Sequence, residues 1–191
     1  IGIETPEYEQ IKNYVHSCLD PIVLEGIEVM RLQGGFIDIP YGYPTVAVKN
    51  DEGKTVRIVD GFKRVTDGDG YNEIPYWITN NDVNFPSSTR MKRQLQEYID
   101  ARLLDCLSDF FVFAEQGYDI TYEVPLSTIE FEEQIIVEVD MPIDAKLGDT
   151  ELKFKDFKYV VPINFDKIHK LGIKIMAEED LFGFLESDTK T

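Results

Sequence analysis

Cys18 and Cys106 are the two cysteines of the chain, and a thiol pair can serve as nucleophile, metal ligand or disulfide. A nucleophile at Cys18 needs a base, and the nearest histidine, His16, lies two positions away on a predicted helix, where side chains diverge. No Cys-x-x-Cys pair is present for redox exchange or zinc. The two histidines, His16 and His169, are far apart in sequence and fall on the polar sides of their predicted helices, which argues against a zinc site. A Cys18–Cys106 disulfide closes a separation of 88 residues, worth roughly 4–5 kcal/mol in the chain-entropy model. Both thiols fall on apolar stripes, so this bridge is the expectation. The alternative is a pair of reduced, buried thiols acting as small hydrophobes.

Oxygen ligands gather in Thr66-Asp-Gly-Asp-Gly-Tyr-Asn-Glu73, where Asp67, Asp69, Asn72 and Glu73 could wrap calcium. The match to an EF-hand loop fails, because Asn72 stands where the loop needs glycine and Ile78 where it needs an acid. A polar turn between strands is the alternative, and neither a metal nor any other cofactor is expected. A second group is aromatic and amide-rich. Tyr71, Tyr76, Trp77, Asn80 and Asn81, with Tyr41, Tyr43 and Phe85 nearby in sequence, suit a glycan or peptide, which asks for an apolar face with hydrogen-bonding tips. Such residues also cover small second cores under long loops. No Gly-x-Ser-x-Gly elbow, phosphate-binding glycine loop or dinucleotide fingerprint occurs. Carboxylates are too numerous for sequence proximity to single out a hydrolytic pair, so no catalytic residue is assigned.

Charge narrows the partners. The chain has 36 acidic and 19 basic residues, a net charge of −17. That field repels phosphate backbones and anionic headgroups, which excludes nucleic acid as an expected partner and favours cations or basic surfaces. No run approaches the roughly 18 apolar residues of a membrane helix. The chain opens on Ile1 rather than methionine, so a processed or excised product is expected, with any leader or anchor upstream.

These residues need elements to position them. Thr5-Pro6-Glu7 reads as a helix start, and Tyr8, Ile11, Val15, Cys18 and Ile22 follow on one face. Asp20-Pro21 predicts a kink or a second helical segment, ended by Gly34-Gly35. The period then changes to 2. Val46 and Val48, a turn at Asn50–Gly53, and Val56 and Ile58 read as a hairpin with a four-residue loop. A second helix opens at Ser87 or Ser88, carries Leu95, Ile99, Leu103, Cys106 and Phe110 as its stripe, and continues through Phe113 to Gly117. Alternating runs follow at Ile120–Val124, Ile129–Phe131 and Ile135–Met141. In the last strand Leu152 and Phe154 share one parity while Phe157, Tyr159, Val161 and Ile163 share the other, which predicts a β-bulge at Lys155-Asp156 or a break into two strands. A final helix carries Ile168, Leu171 and Ile175, with a short strand at 173–176 as its competitor.

The order implies an α+β fold: mainly antiparallel sheet with two or three amphipathic helices packed on one face. A single domain over 1–191 is expected, with a possible division into a helix and hairpin region (1–86) and a helix, meander and C-terminal helix (87–191). The runs Ile11-Lys-Asn-Tyr-Val-His-Ser-Cys-Leu19, Leu32-Gln-Gly-Gly-Phe-Ile-Asp-Ile-Pro40 and Leu95 to Leu107, with Leu-Leu-x-Cys-Leu at its end, resemble uncharacterised archaeal single-pass envelope proteins. These are similar to type IV pilin-like precursors, with one N-terminal membrane helix and an extracytoplasmic domain. The resemblance extends over most of the chain. It implies an exported, disulfide-bonded domain and carries no assigned activity; the leading expectation is a non-enzymatic surface or envelope domain, structural, adhesive or filament-associated. Its partners would be envelope proteins or further copies of itself, and it would meet the membrane only through an anchor outside this chain. The alternatives from the residues alone are a glycan- or peptide-binding module and, behind it, a carboxylate-based hydrolase.

Overall fold

The structure is a computed structural model that describes residues 6–39, 45–49, 55–59, 62–66, 71–75, 77–79, 82–83, 85–107 and 110–182. The chain forms two compact units, each assembled from two separate stretches: Ile1–Glu28 with Lys92–Phe165, and Val29–Met91 with Asp166–Thr191.

The first unit is a sheet with helices on one face, as the α+β reading expects. Helix α1 (Pro6–Leu32) starts with proline in its first turn and with Glu7 and Glu9 near the positive end of its dipole. It runs through Pro21 as one helix rather than as two consecutive segments. Pro21 is exposed, while Cys18, Leu19, Ile22 and Val23 are buried on both sides of it. Burying four side chains at about 1.5–3 kcal/mol each outweighs the roughly 3 kcal/mol cost of an interior proline. Asp20 therefore caps nothing and instead meets His16 at 3.4 Å.

Helix α2 (Ser88–Leu107) lies antiparallel to α1, since Glu25 meets Arg102 at 3.9 Å and Cys18 meets Cys106. Its buried stripe is Met91, Leu95, Ile99, Leu103 and Leu107, a strict spacing of four. It does not continue unbroken to Gly117 as predicted: a separate short helix α3 (Phe111–Ala114) follows, and Gly117 closes it with φ +89°.

The sheet consists of β7 (Asp119–Tyr122), β8 (Leu126–Phe131), β9 (Ile135–Leu147) and β10 (Thr150–Val161), all antiparallel to the central β9. Every second residue of β9 from Ile135 to Ala145 is buried. On this face α1 covers β10, with Tyr8 stacked on Phe154 at 4.4 Å and His16 edge-on to Phe157 at 6.1 Å. Helix α2 covers β8 through Asp100 and Ser127. The predicted bulge is present, as a register shift between Phe154 and Asp156. Its cause lies on the neighbouring strand. Pro142 sits in the centre of β9 without an N–H to donate, and both flanking ladders shift beside it. Tyr122 pairs Ile143 but Leu126 pairs Asp140, so β7 and β8 are one edge interrupted around Pro125.

In the second unit, α1 ends as Gly34-Gly35 foretells. Gly34 takes φ +63° and Gly35 N–H donates to the Met30 carbonyl at 2.8 Å, the six-to-one bond of a Schellman stop. The hairpin of β1 (Thr45–Lys49) and β2 (Thr55–Val59) pairs Val46 with Ile58 and Val48 with Val56, as the alternation implies. The turn predicted at Asn50–Gly53 lies outside the described residues. Two further hairpins follow: β3 (Phe62–Thr66) with β4 (Tyr71–Pro75), strands on either side of the stretch weighed as a polar turn between strands, and β5 (Ile78–Thr79) with β6 (Asp82–Val83). Helix α4 (Phe165–Phe182) runs straight across 173–176, so the competing strand is not formed.

Candidate functional site

The covalent centre of the first unit is the Cys18–Cys106 disulfide, with Cα atoms 6.0 Å apart. It joins α1 to α2 as expected, but its two ends differ. Cys18 is 3% exposed within the α1 stripe, whereas Cys106 is exposed and lies outside the buried stripe of α2. Cys106 is therefore not in line with Leu103 and Phe110, contrary to what its sequence spacing suggests. Leu107 holds the core position, and Cys106 belongs to a second line, Tyr98, Arg102 and Cys106, that faces α1. This line has its own logic. Gly26 lets the helices close, because a Cβ there would lie 2.8 Å from Leu95 Cδ1 and 3.0 Å from Tyr98 Cδ1. Arg102 lies over the Tyr98 ring at 5.2 Å. Burial, with the Glu25 carboxylate beside it, pushes the Tyr98 phenol above its ordinary range, against the pull of Arg102. Beyond Cys106 the Tyr14 hydroxyl donates to the Cys106 carbonyl at 3.4 Å, and Tyr14 packs on Phe110 and Phe113 at 5.3 Å each.

Sequence reasoning passed over Asp100 and Ser127. Ser127 is 3% exposed, and both its backbone N–H (2.9 Å) and its hydroxyl donate to Asp100 Oδ1. Burial raises the Asp100 carboxyl above its ordinary value, and the Ser127 bonds offset part of that. The pair ties α2 to the edge strand β8. A signal was present in the buried parity of β8, since Ser127 shares it with Ile129 and Phe131.

The opposite face of the sheet is polar. Lys158 meets Glu138 at 2.7 Å, Lys155 meets Asp140 at 3.4 Å and Lys153 meets Asp144 at 3.4 Å. An open groove of about 400 Å³ crosses it beside Leu126, Glu138, Asp140 and Asp156. Glu138 and Asp140 are thus each engaged by a lysine, which suits a cross-strand ion-pair ladder.

In the second unit Trp77 is half-buried. Its indole N–H donates to the Gly34 carbonyl at 2.8 Å, and a Cβ at Gly172 of α4 would lie 3.1 Å from its ring. Phe85 and His169 complete the cluster at 6.3 and 6.4 Å from Trp77. His169, read as exposed, is half-buried and donates from Nε2 to the Pro86 carbonyl at 2.9 Å. Tyr71 lies on β4 opposite Thr66, while Tyr76, Asn80 and Asn81 fall outside the described residues. Of the calcium candidates, Asp67 and Asp69 also fall outside them, and Asn72 and Glu73 occupy β4 opposite Val65 and Arg64. Among the described residues no group of three His, Cys, Asp or Glu side chains is placed to hold a metal ion, and no helix is long and apolar enough to cross a membrane.

No protein-family model, curated protein or solved structure matches this chain.

Proposed function

We propose that the chain is a non-enzymatic, extracytoplasmic domain of a surface or envelope protein, with a structural or adhesive role. The observation that supports this most is the Cys18–Cys106 disulfide. Disulfides persist in oxidising compartments and are rare where glutathione and thioredoxin keep thiols reduced. A helix-to-helix bond is also a mechanical device, because it transmits tension between α1 and α2 without relying on packing. The pairing of lysines with acids on the outer sheet face supports a solvated surface rather than a carboxylate-based hydrolase. The commitment of the Trp77 N–H to Gly34 weighs for a small aromatic core over a glycan platform. The pilin-like archaeal resemblance is part of the same proposal, with envelope proteins or other copies as partners.

Lysine labelling of intact cells by a membrane-impermeant biotin reagent tests the location. Labelling of this domain before lysis is the expected result; labelling only after lysis overturns the proposal.

A further inference from the structure

The bridge between α1 and α2 presents its two sulfurs unequally. Cys18 is 3% exposed, with Val15 and Leu19 of the same helix fully buried. Cys106 is exposed in the last turn of α2, and so are Asp105 before it and Arg102 one turn back. Its backbone accounts for little of that exposure, because the carbonyl accepts from the Tyr14 hydroxyl at 3.4 Å and the N–H lies within the helix. The part that meets solvent is mainly the Cβ–Sγ end. A thiolate opens a disulfide by attacking one sulfur, and access bears on which. To reach Cys18 it would have to enter the buried stripe of α1, whereas it meets Cys106 from solvent. The sulfurs also stay neighbours once the bond opens. Gly26 seats α1 against Leu95 and Tyr98, Glu25 meets Arg102 at 3.9 Å, and Tyr14 holds the Cys106 carbonyl.

We propose that Cys106 is a thiol-exchange site for small thiols, with Cys18 as the buried thiol that closes the bridge again. In the forward step a thiolate RS⁻ attacks Cys106 Sγ. The bond between R–S and Cys106 Sγ forms, the bond to Cys18 Sγ breaks, and its electron pair leaves on Cys18 Sγ, which takes a proton from solvent. One disulfide and one thiol become another disulfide and another thiol, so no outside oxidant is needed. In the return step Cys18 gives up that proton, attacks Cys106 Sγ and expels RS⁻. Burial disfavours a charged sulfur at Cys18, which makes it a poor leaving group and slows the forward step. The return step gains from a partner already held in place. The closed bridge is therefore the resting state, and the mixed disulfide persists only while the small thiol is in excess. Such a site goes beyond the surface role proposed above and needs only the bridge, not a given location. Biotin labelling of cells and exchange on the purified chain can therefore fail independently.

Incubating the oxidised whole chain with excess reduced glutathione, quenching with acid and mapping peptides by mass without reductant tests this. At early times the adduct is expected on Cys106 in about tenfold or greater excess over Cys18, with Cys18 recovered as a free thiol. The rate should be proportional to glutathione and unchanged between about 0 and 1 M urea, since attack occurs on the folded chain. Single variants give a second reading. Oxidised glutathione should load Cys106 of Cys18→Ser at least about tenfold faster than Cys18 of Cys106→Ser. If loss of the bridge unfolds these variants, the wild-type map decides alone. An adduct mainly or equally on Cys18, no adduct under excess thiol, or a rate that climbs with urea as unfolding does would each overturn the proposal.

Discussion

At the scale of single residues, the charge state of Asp100 bears on stability. Its carboxyl sits above the ordinary aspartate range because of burial, against the two hydrogen bonds from Ser127. A raised carboxyl binds its proton more tightly in the folded state than in the unfolded one. The stability it contributes is therefore present below the unfolded value and is lost as pH rises through the folded value. Urea unfolding across a pH series should show the wild type gaining on Asp100→Asn as pH falls through this range; a gap that ignores pH would contradict the assignment. Asp100→Ala leaves the buried Ser127 donors without their acceptor and should cost about 1–3 kcal/mol. Neither residue announced itself in the sequence, because an aspartate on a half-polar helix flank acquires meaning only from the strand beneath it. The reverse holds for Cys106. Its nature as a bridge partner was legible, but its side of α2 was not, since a stripe of spacing four drifts around a helix of 3.6 residues per turn.

At the scale of elements, helix-to-helix closeness depends on Gly26. Alanine raises helix propensity by about 1 kcal/mol over glycine, yet its Cβ would crowd Leu95 and Tyr98, at a cost of about 1–3 kcal/mol for overpacking. Gly26→Ala should thus lower the unfolding free energy by about 1 kcal/mol despite its propensity gain; a more stable variant would show that the helices part freely there. The elements that were legible are those with a local cause. These are the proline-led start of α1, its glycine stop, the β1–β2 register and the parity slip in β10. The β3–β4 hairpin agrees with the polar turn between strands weighed at Thr66–Glu73, whereas β5–β6 was missed because two-residue strands carry no alternation. The interruption beside Pro142 has a similar lesson. The slip was visible in β10, but its source was a proline on the strand opposite.

At the scale of the whole molecule, the chain combines a net charge of −17, a sheet with helices on one face and one covalent bond between helices. The fold class was legible because it follows from the order of periodic segments. The candidate site was legible only in part, since Trp77 reads equally well as a platform or a core until its N–H finds the Gly34 carbonyl. The division into units made from interleaved stretches depends on long-range contacts that no local pattern encodes. What joins these scales is the Cys18–Cys106 bond, which supports both the stability of the helical layer and the extracytoplasmic reading. Trapping thiols at lysis, denaturing without reductant and weighing the intact chain tests it most directly. The account predicts no alkylated cysteine, whereas two alkylated cysteines would contradict it.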